Sequence, residues 1–268
     1  VKEYIISCID SIYKHSKSDL KFEIIVVDNN SIDNSVIDLK KTFPNLILVE
    51  NNYNAGFSVA VNQGAKLSNS NFFLILNPDT LFVEDSLSIL YNEVLEKKIM
   101  GAIGPKLISK KGLLQQSFWR DPTLINTILS ISYLDFLNFS KKYIFTNFTK
   151  TSKVDTISGA AIFIPRRIFD QLEGFDSRLF WMEDIDLCVR LRRKKFVVCY
   201  SPLTKIIHFS GKSASKNFKV AIINQLISKI KFFKKNHNEF ETFILSSFIL
   251  FISTVKPLLL SVIAILST

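Results

Sequence analysis

Short apolar runs, each cut off by a cluster of Asn, Asp or Pro, constrain this chain more than any other feature. Residues 22–27 are rich in β-branched side chains and end in Asp28-Asn29-Asn30-Ser31. Residues 46–49 form a second such run, and residues 72–76 a third, stopped by Asn77-Pro78-Asp79-Thr80. Runs this short and apolar predict strands covered on both faces, as in a parallel sheet. Helical periodicity fills the spaces between them. Tyr4, Ile5, Cys8, Ile9 and Ile12 line one face of a helix over residues 1–16. Ser31 or Asp33 is placed to cap a helix running to Lys41, Asn54-Ala55-Gly56 turns into a helix over 57–67, and a further helix is expected over 83–96. Strand and helix in alternation imply right-handed crossovers and a mostly parallel α/β sheet. Ligands of such sheets sit beyond the carboxyl ends of the strands, and Asp28 and Asp79 both fall at that edge.

The second half is less regular. A strand is expected near 102–104, loops and short helices over 110–153, and a strand over 154–164 interrupted by Ser158-Gly159. Helices over 167–172 and 184–194 precede a strand at 196–200. The formal charge of +10 favours anionic partners, while no arginine-rich arm or zinc-finger spacing points to nucleic acid. Cys8, Cys188 and Cys199 are too scattered for a disulfide framework and suit a reducing compartment. No Gly-x-Gly-x-x-Gly follows any strand, which argues against a dinucleotide oxidoreductase.

Within Phe180-Trp181-Met182-Glu183-Asp184-Ile185-Asp186-Leu187-Cys188, helical spacing puts Asp184 on one stripe with Cys188 and Leu191, the inward face. Partial burial there raises a carboxyl pKa and makes a better proton acceptor. Asp186 points elsewhere, toward a solvated face and Arg190 at i+4. The alternative is that Glu183, Asp184 and Asp186 merely complement the positive end of the helix. Asp79 on a strand-end turn suits Mg²⁺ or Mn²⁺ already bound to a diphosphate, or an ordinary Asn-Pro-Asp turn. Asp28 and Asn30 suit a base or ribose, or a helix cap. Gly56 permits close backbone approach to a ligand, or a left-handed turn. His208, with Gly211 and Lys212 after it, offers an imidazole and a lysine to a phosphate, or is a structural histidine, the commoner role of a lone one.

In this order the motifs resemble the family 2 glycosyltransferases of the GT-A fold, in particular the rhamnosyltransferase-like branch of bacterial surface polysaccharide synthesis. The motifs are Asp28-Asn29-Asn30-Ser31, Asn54-Ala55-Gly56-Phe57 with Asn62, Asn77-Pro78-Asp79, Ser158-Gly159-Ala160, Glu183-Asp184 and His208 with Ser213. The resemblance implies an inverting transfer of a single sugar, rhamnose or similar, from a dTDP- or UDP-sugar to a glycan or polyprenyl-linked acceptor. It assigns the general base to Asp184. Nucleotide contacts fall to Asp28, Asn30, Asn54, Gly56, Asn62 and Asn77, and a divalent cation to Asp79 and His208. Gly159, Trp181 and Glu183 are expected on the acceptor side. Asn77 stands where the family motif has its first acid, and no Gln-x-x-Arg-Trp of processive synthases is found. The family places a strand before the first helix, and its absence here suggests a truncated chain. Rival readings are a catalytically impaired, membrane-anchored glycan-binding protein and a sugar nucleotidyltransferase.

Residues 1–237 are expected to form the catalytic domain and 238–268 a membrane-associating tail on the cytoplasmic face. Lys229, Lys231, Lys234 and Lys235 precede an uncharged run over 243–255, which Lys256-Pro257 separates from a second over 258–266. Each half is shorter than the ~20 apolar residues of a membrane span. A re-entrant hairpin, an in-plane segment and a kinked span all fit.

Overall fold

The computed structural model describes residues 2–16, 20–97, 99–132, 134, 149–210 and 218–266. Its first helix, α1 (Lys2–His15), buries Cys8, Ile9 and Ile12 as the periodicity requires. β1 (Ile25–Asp28), α2 (Ser35–Thr42), β2 (Ile47–Glu50) and α3 (Phe57–Leu67) follow, and β1 pairs with β2 in parallel. β3 (Phe72–Leu76), β4 (Thr80–Phe82), α4 (Ser86–Glu96) and β5 (Met100–Ile108) complete the first half. Helix α4 begins later than the apolar pattern suggested, because Asp85 caps it by accepting from Ser88 N, and residues 80–82 extend as a strand instead.

The second half contains β6 (Phe118–Trp119), α5 (Leu124–Ile131), β7 (Ser152–Lys153), β8 (Thr156–Ile157), β9 (Ala161–Pro165), α6 (Arg166–Gln171), α7 (Glu183–Arg193) and β10 (Val197–His208). The larger sheet has the order β3-β9-β5-β10-β4, with β7 against β10. β9 is antiparallel to both β3 and β5, and β5 is parallel to β10, so β3, β5 and β10 all run one way. This topology sets up the site. The reversed β9 begins where β3 ends: Ala161 pairs with Leu76, and Asn77 N donates to Ala160 O. The Ser158-Gly159 interruption therefore lies beside the Asn77-Pro78-Asp79 turn. At the other edge β4 returns antiparallel to β10, setting Thr80 opposite His208.

β1 and β2 are half-buried rather than covered on both faces. An apolar slot of about 370 Å³ lies beside β1, lined by Ile5, Ile9, Val26, Leu74 and Leu76 among others. It lies between an edge of β1 and an edge of β3, neither of which is paired there among the described residues.

α8 (Phe218–Asn236) and α9 (Glu239–Leu266) follow. α9 runs through Lys256-Pro257 as one helix, where the sequence suggested a break. Leu245 and Ile249 of α9 are buried with Phe232 and Phe233 of α8, and Leu124, Ile128 and Ile131 of α5 pack against them. The expected boundary at 237/238 therefore falls inside a shared apolar cluster. Among the described residues no helix is long and apolar enough to cross a membrane.

Candidate active site

A cavity of about 650 Å³ opens at the strand-end edge. It is lined by Asn77, Gly159, Trp181, Glu183, Asp184 and His208, all expected from the sequence. Asp184 is held there by backbone. Its Oδ2 accepts from Gly159 N and its Oδ1 from Ile185 N, each at 2.8 Å. A Cβ on residue 159 would press on the Asp184 side chain at 3.3 Å, so the glycine is what lets the carboxylate approach. Burial pushes the Asp184 carboxyl up, and the two N–H groups oppose that shift. Gly159, which also lines the cavity, thus positions Asp184.

Asp79 is buried, and its Oδ1 lies 3.5 Å from His208 Nε2. Phe209 N donates to Asp79 O, pinning the turn to the end of β10. An oxygen and an imidazole donor facing each other suit a divalent cation whose remaining shell comes from diphosphate and water. No third His, Cys, Asp or Glu joins them among the described residues. Gly211 and Ser213 of the same motif lie outside those residues.

Asp28, Asn30, Asn54 and Gly56 gather at a neighbouring corner beyond β1. Asp28 Oδ2 accepts from Ser31 N, Asn30 turns the chain with φ 63°, and Asn54 Oδ1 accepts from Gly56 N. Asn29 Nδ2 donates to Gly56 O, closing the corner. At φ 88° Gly56 packs so tightly on the Phe180 ring that a Cβ would sit 3.1 Å from it. The close approach it permits is to a ring of this chain. Asn62 needs a correction: its Nδ2 donates to Phe175 O and its Oδ1 accepts from Phe175 N. Its amide is committed to bracing the turn at Gly174 rather than to a nucleotide.

Asp186 needs another. It is 0% exposed, not solvated. Arg190 Nε donates to its Oδ2 at 2.7 Å, as the i+4 spacing suggested. Lys235 Nζ of α8 lies 2.7 Å from both Asp186 Oδ1 and Asp176 Oδ2. The Arg178 and Lys235 cations hold the Asp176 carboxyl well below the usual range. Lys231 Nζ donates to Arg178 O at the surface, so of the four lysines before the apolar tail Lys235 is the one drawn into a part-buried ion pair. Ser228 Oγ, also on α8, accepts from Phe180 N and Trp181 N. These bonds hold the segment before α7, where Met182 takes a left-handed φ of 69°. Gln225 and Lys229 bring α8 to the cavity wall, opposite Arg120 and Asp121 before α5. Reasoning from sequence missed Ser228 and Gln225, because a lone serine or glutamine in a helix carries no local signal.

The fold and this carboxylate-lined cavity define a sugar-transferring enzyme of the GT-A type, and comparison with known proteins agrees. The model of the family "Glycosyl transferase family 2" matches residues 1–172, and the chain belongs to that family. It is a glycosyltransferase. The chain is similar to N-acetylglucosaminyl-diphospho-decaprenol L-rhamnosyltransferase of Mycobacterium tuberculosis, with 25% identity over 210 residues, covering 72% of this chain and 68% of that protein. It is similar also to O-antigen biosynthesis protein RfbC of Myxococcus xanthus, at 25% identity over 72% of this chain and 15% of that protein. Among solved structures it resembles the mannosyltransferase PcManGT of Pyrobaculum calidifontis, in complex with GDP-Man and Mn²⁺. The TM-score is 0.59 at 16% identity, covering 88% of this chain and 60% of that one. GalNAc-T7 with UDP, GalNAc and Mn²⁺ gives a TM-score of 0.57 at 13% identity, covering 76% of this chain and 40% of that one. At these identities the two structures show the shared fold.

Proposed function

We propose that the chain transfers a single sugar, rhamnose or similar, from a dTDP- or UDP-linked donor to a glycan or polyprenyl-linked acceptor, with inversion. The observation that carries this reading is Asp184, held by two backbone N–H groups at the wall of a cavity that His208 also lines. Burial raises its basicity, so it accepts the proton of an acceptor hydroxyl as that oxygen attacks the anomeric carbon. One displacement with no enzyme nucleophile inverts configuration. Asp79 and His208 would hold a Mg²⁺ or Mn²⁺, which supplies charge neutralisation to the departing diphosphate. Asp28, Asn30, Asn54 and Asn77 border the nucleotide, and Trp181 offers an aromatic face to a sugar. The relatives' names support sugar transfer in surface glycan synthesis.

The chain works at the cytoplasmic face of the membrane in this reading. Phe240, Phe243, Leu250 and Phe251 lie exposed along one side of α9, and Lys234 is exposed at the end of α8. Such a side suits in-plane burial at a lipid surface. Purified chain with Mn²⁺ and dTDP- or UDP-sugars is expected to release nucleoside diphosphate and form a product of inverted anomeric configuration by NMR. Excess EDTA is expected to stop it. A retained configuration, or transfer undiminished in EDTA, defeats the mechanism. Co-sedimentation with anionic vesicles tests the membrane site.

A further inference from the structure

Glu183 and Asp184 are adjacent carboxyl groups on one cavity wall, yet their surroundings differ. Asp184 has a backbone N–H on each oxygen. Glu183 Oε2 is buried and has no hydrogen-bond partner. A buried oxygen left so is costly, and far more costly if it carries charge. When neighbouring carboxyls share a site, both do not ionise together, and the proton stays on the one with less support for its charge. Burial first, then the Asp184 charge, push the Glu183 carboxyl up to about 8. The other charged or titratable groups on this cavity are Arg120 and Asp121 before α5, Lys229 on α8 and His208 on β10. Asp121 is neutralised by Arg192, whose Nη2 donates to both of its oxygens. The backbone N–H of Glu183 favours the ionised form, but burial and the Asp184 charge outweigh it.

We propose that Glu183 takes part in the reaction as a neutral carboxylic acid, donating its O–H to an oxygen of the acceptor sugar beside the attacking hydroxyl, while Asp184 is the sole charged carboxylate of the pair. No proton is transferred through Glu183. The proton of the attacking hydroxyl goes to Asp184, and Glu183 keeps its own. The division of labour is geometric, since both Asp184 oxygens are held by backbone N–H groups while Glu183 Oε2 has no hydrogen-bond partner. Above the pH at which Glu183 ionises, an acceptor oxygen would face a second negative charge, and acceptor binding would weaken. The contact to the acceptor rests on the glycosyltransferase reading; the neutral acid does not.

Infrared difference spectroscopy on the full chain separates the two. Wild type at neutral pH is expected to show the carbonyl band of a buried, protonated carboxylic acid, titrating near pH 8. Glu183→Gln should lack that band. Asp184→Asn should keep it but titrate it at lower pH, because the neighbouring charge is gone. In transfer assays, the acceptor KM of wild type should rise about tenfold between neutral pH and about pH 9, the loss of one buried hydrogen bond. Glu183→Gln, whose amide still donates, should hold that KM within about threefold, and the donor KM should not move. Absence of the band in wild type, or its persistence in Glu183→Gln, overturns the neutral acid. A chain that shows the band but transfers no sugar overturns the acceptor contact together with the glycosyltransferase reading, and leaves the neutral acid standing.

Discussion

The corner around Asp28 and the start of α7 around Asp184 hold their polar groups by different means. At the first, neutral amides bond to one another near the surface: Asn51 with Asn29 and Gln63, Asn29 with Gly56, Asn54 with Gly56. At the second, charged groups are taken out of water and joined across distant parts of the chain. Lys235 reaches Asp176, 59 residues away, and Ser228 reaches Phe180, 48 residues away. The amide corner is an adjustable surface, in which each bond contributes about 1 kcal/mol or less. The α7 region is fixed in place, since an ion left unpaired in its interior costs several kcal/mol.

Four substitutions sharpen or break that contrast. Asp184→Asn is expected to lower kcat by ~10²–10⁴-fold, as for a lost general base, with the melting temperature and donor affinity nearly unchanged. Asp186→Ala, two residues along, should do the reverse. It strands Arg190 and Lys235 and is expected to cost about 3–5 kcal/mol of stability by chemical denaturation. Similar kinetic losses and similar stability at both positions would erase the distinction between a reacting and a supporting acid. Ser228→Ala removes one acceptor from two N–H groups, so about 1–3 kcal/mol is expected, read as a higher acceptor KM and a lower melting temperature. In the amide half, Lys40 and Glu50 form an exposed pair at 2.6 Å. Lys40→Ala should change stability by no more than about 1 kcal/mol, and a larger loss would show the corner to be as rigid as the helix.

A pH dependence of stability follows with its sign fixed. The Glu183 carboxyl is raised in the folded chain, from an ordinary value near 4.5 to about 8. Between those values the folded state holds a proton that the unfolded state releases, so stability falls as pH rises through that window. Glu183→Gln should flatten this slope in denaturation curves measured across the same range. An unchanged slope would assign it to another group.

Much of the site was legible in order along the chain. Asn77-Pro78-Asp79, Ser158-Gly159 and Glu183-Asp184 sit at ends of strands or starts of helices, where local chemistry announces itself through turn formers, glycine and acids. The inward direction of Asp184 followed from its spacing to Cys188 and Leu191. The same reasoning failed at Asp186. Helical spacing gives the angle between two side chains, but not what packs against the far side, and α8 covers it. Asn62 failed likewise, since its partner Phe175 is 113 residues away.

The sequence by itself determined the alternation of strands and helices, the edge at which acids collect, and the identity of the candidate base. Each depends on residues within one turn or one strand of each other. Only the tertiary structure decided that β9 runs backward to bring Gly159 under Asp184. It also decided that α8 braces the segment before α7, and that Lys235 pairs with the carboxylates of Asp176 and Asp186. The physical reason is that burial belongs to pairs of surfaces. A lysine or an aspartate carries the same local signal in water as in a core, and its partner across the fold determines which it becomes.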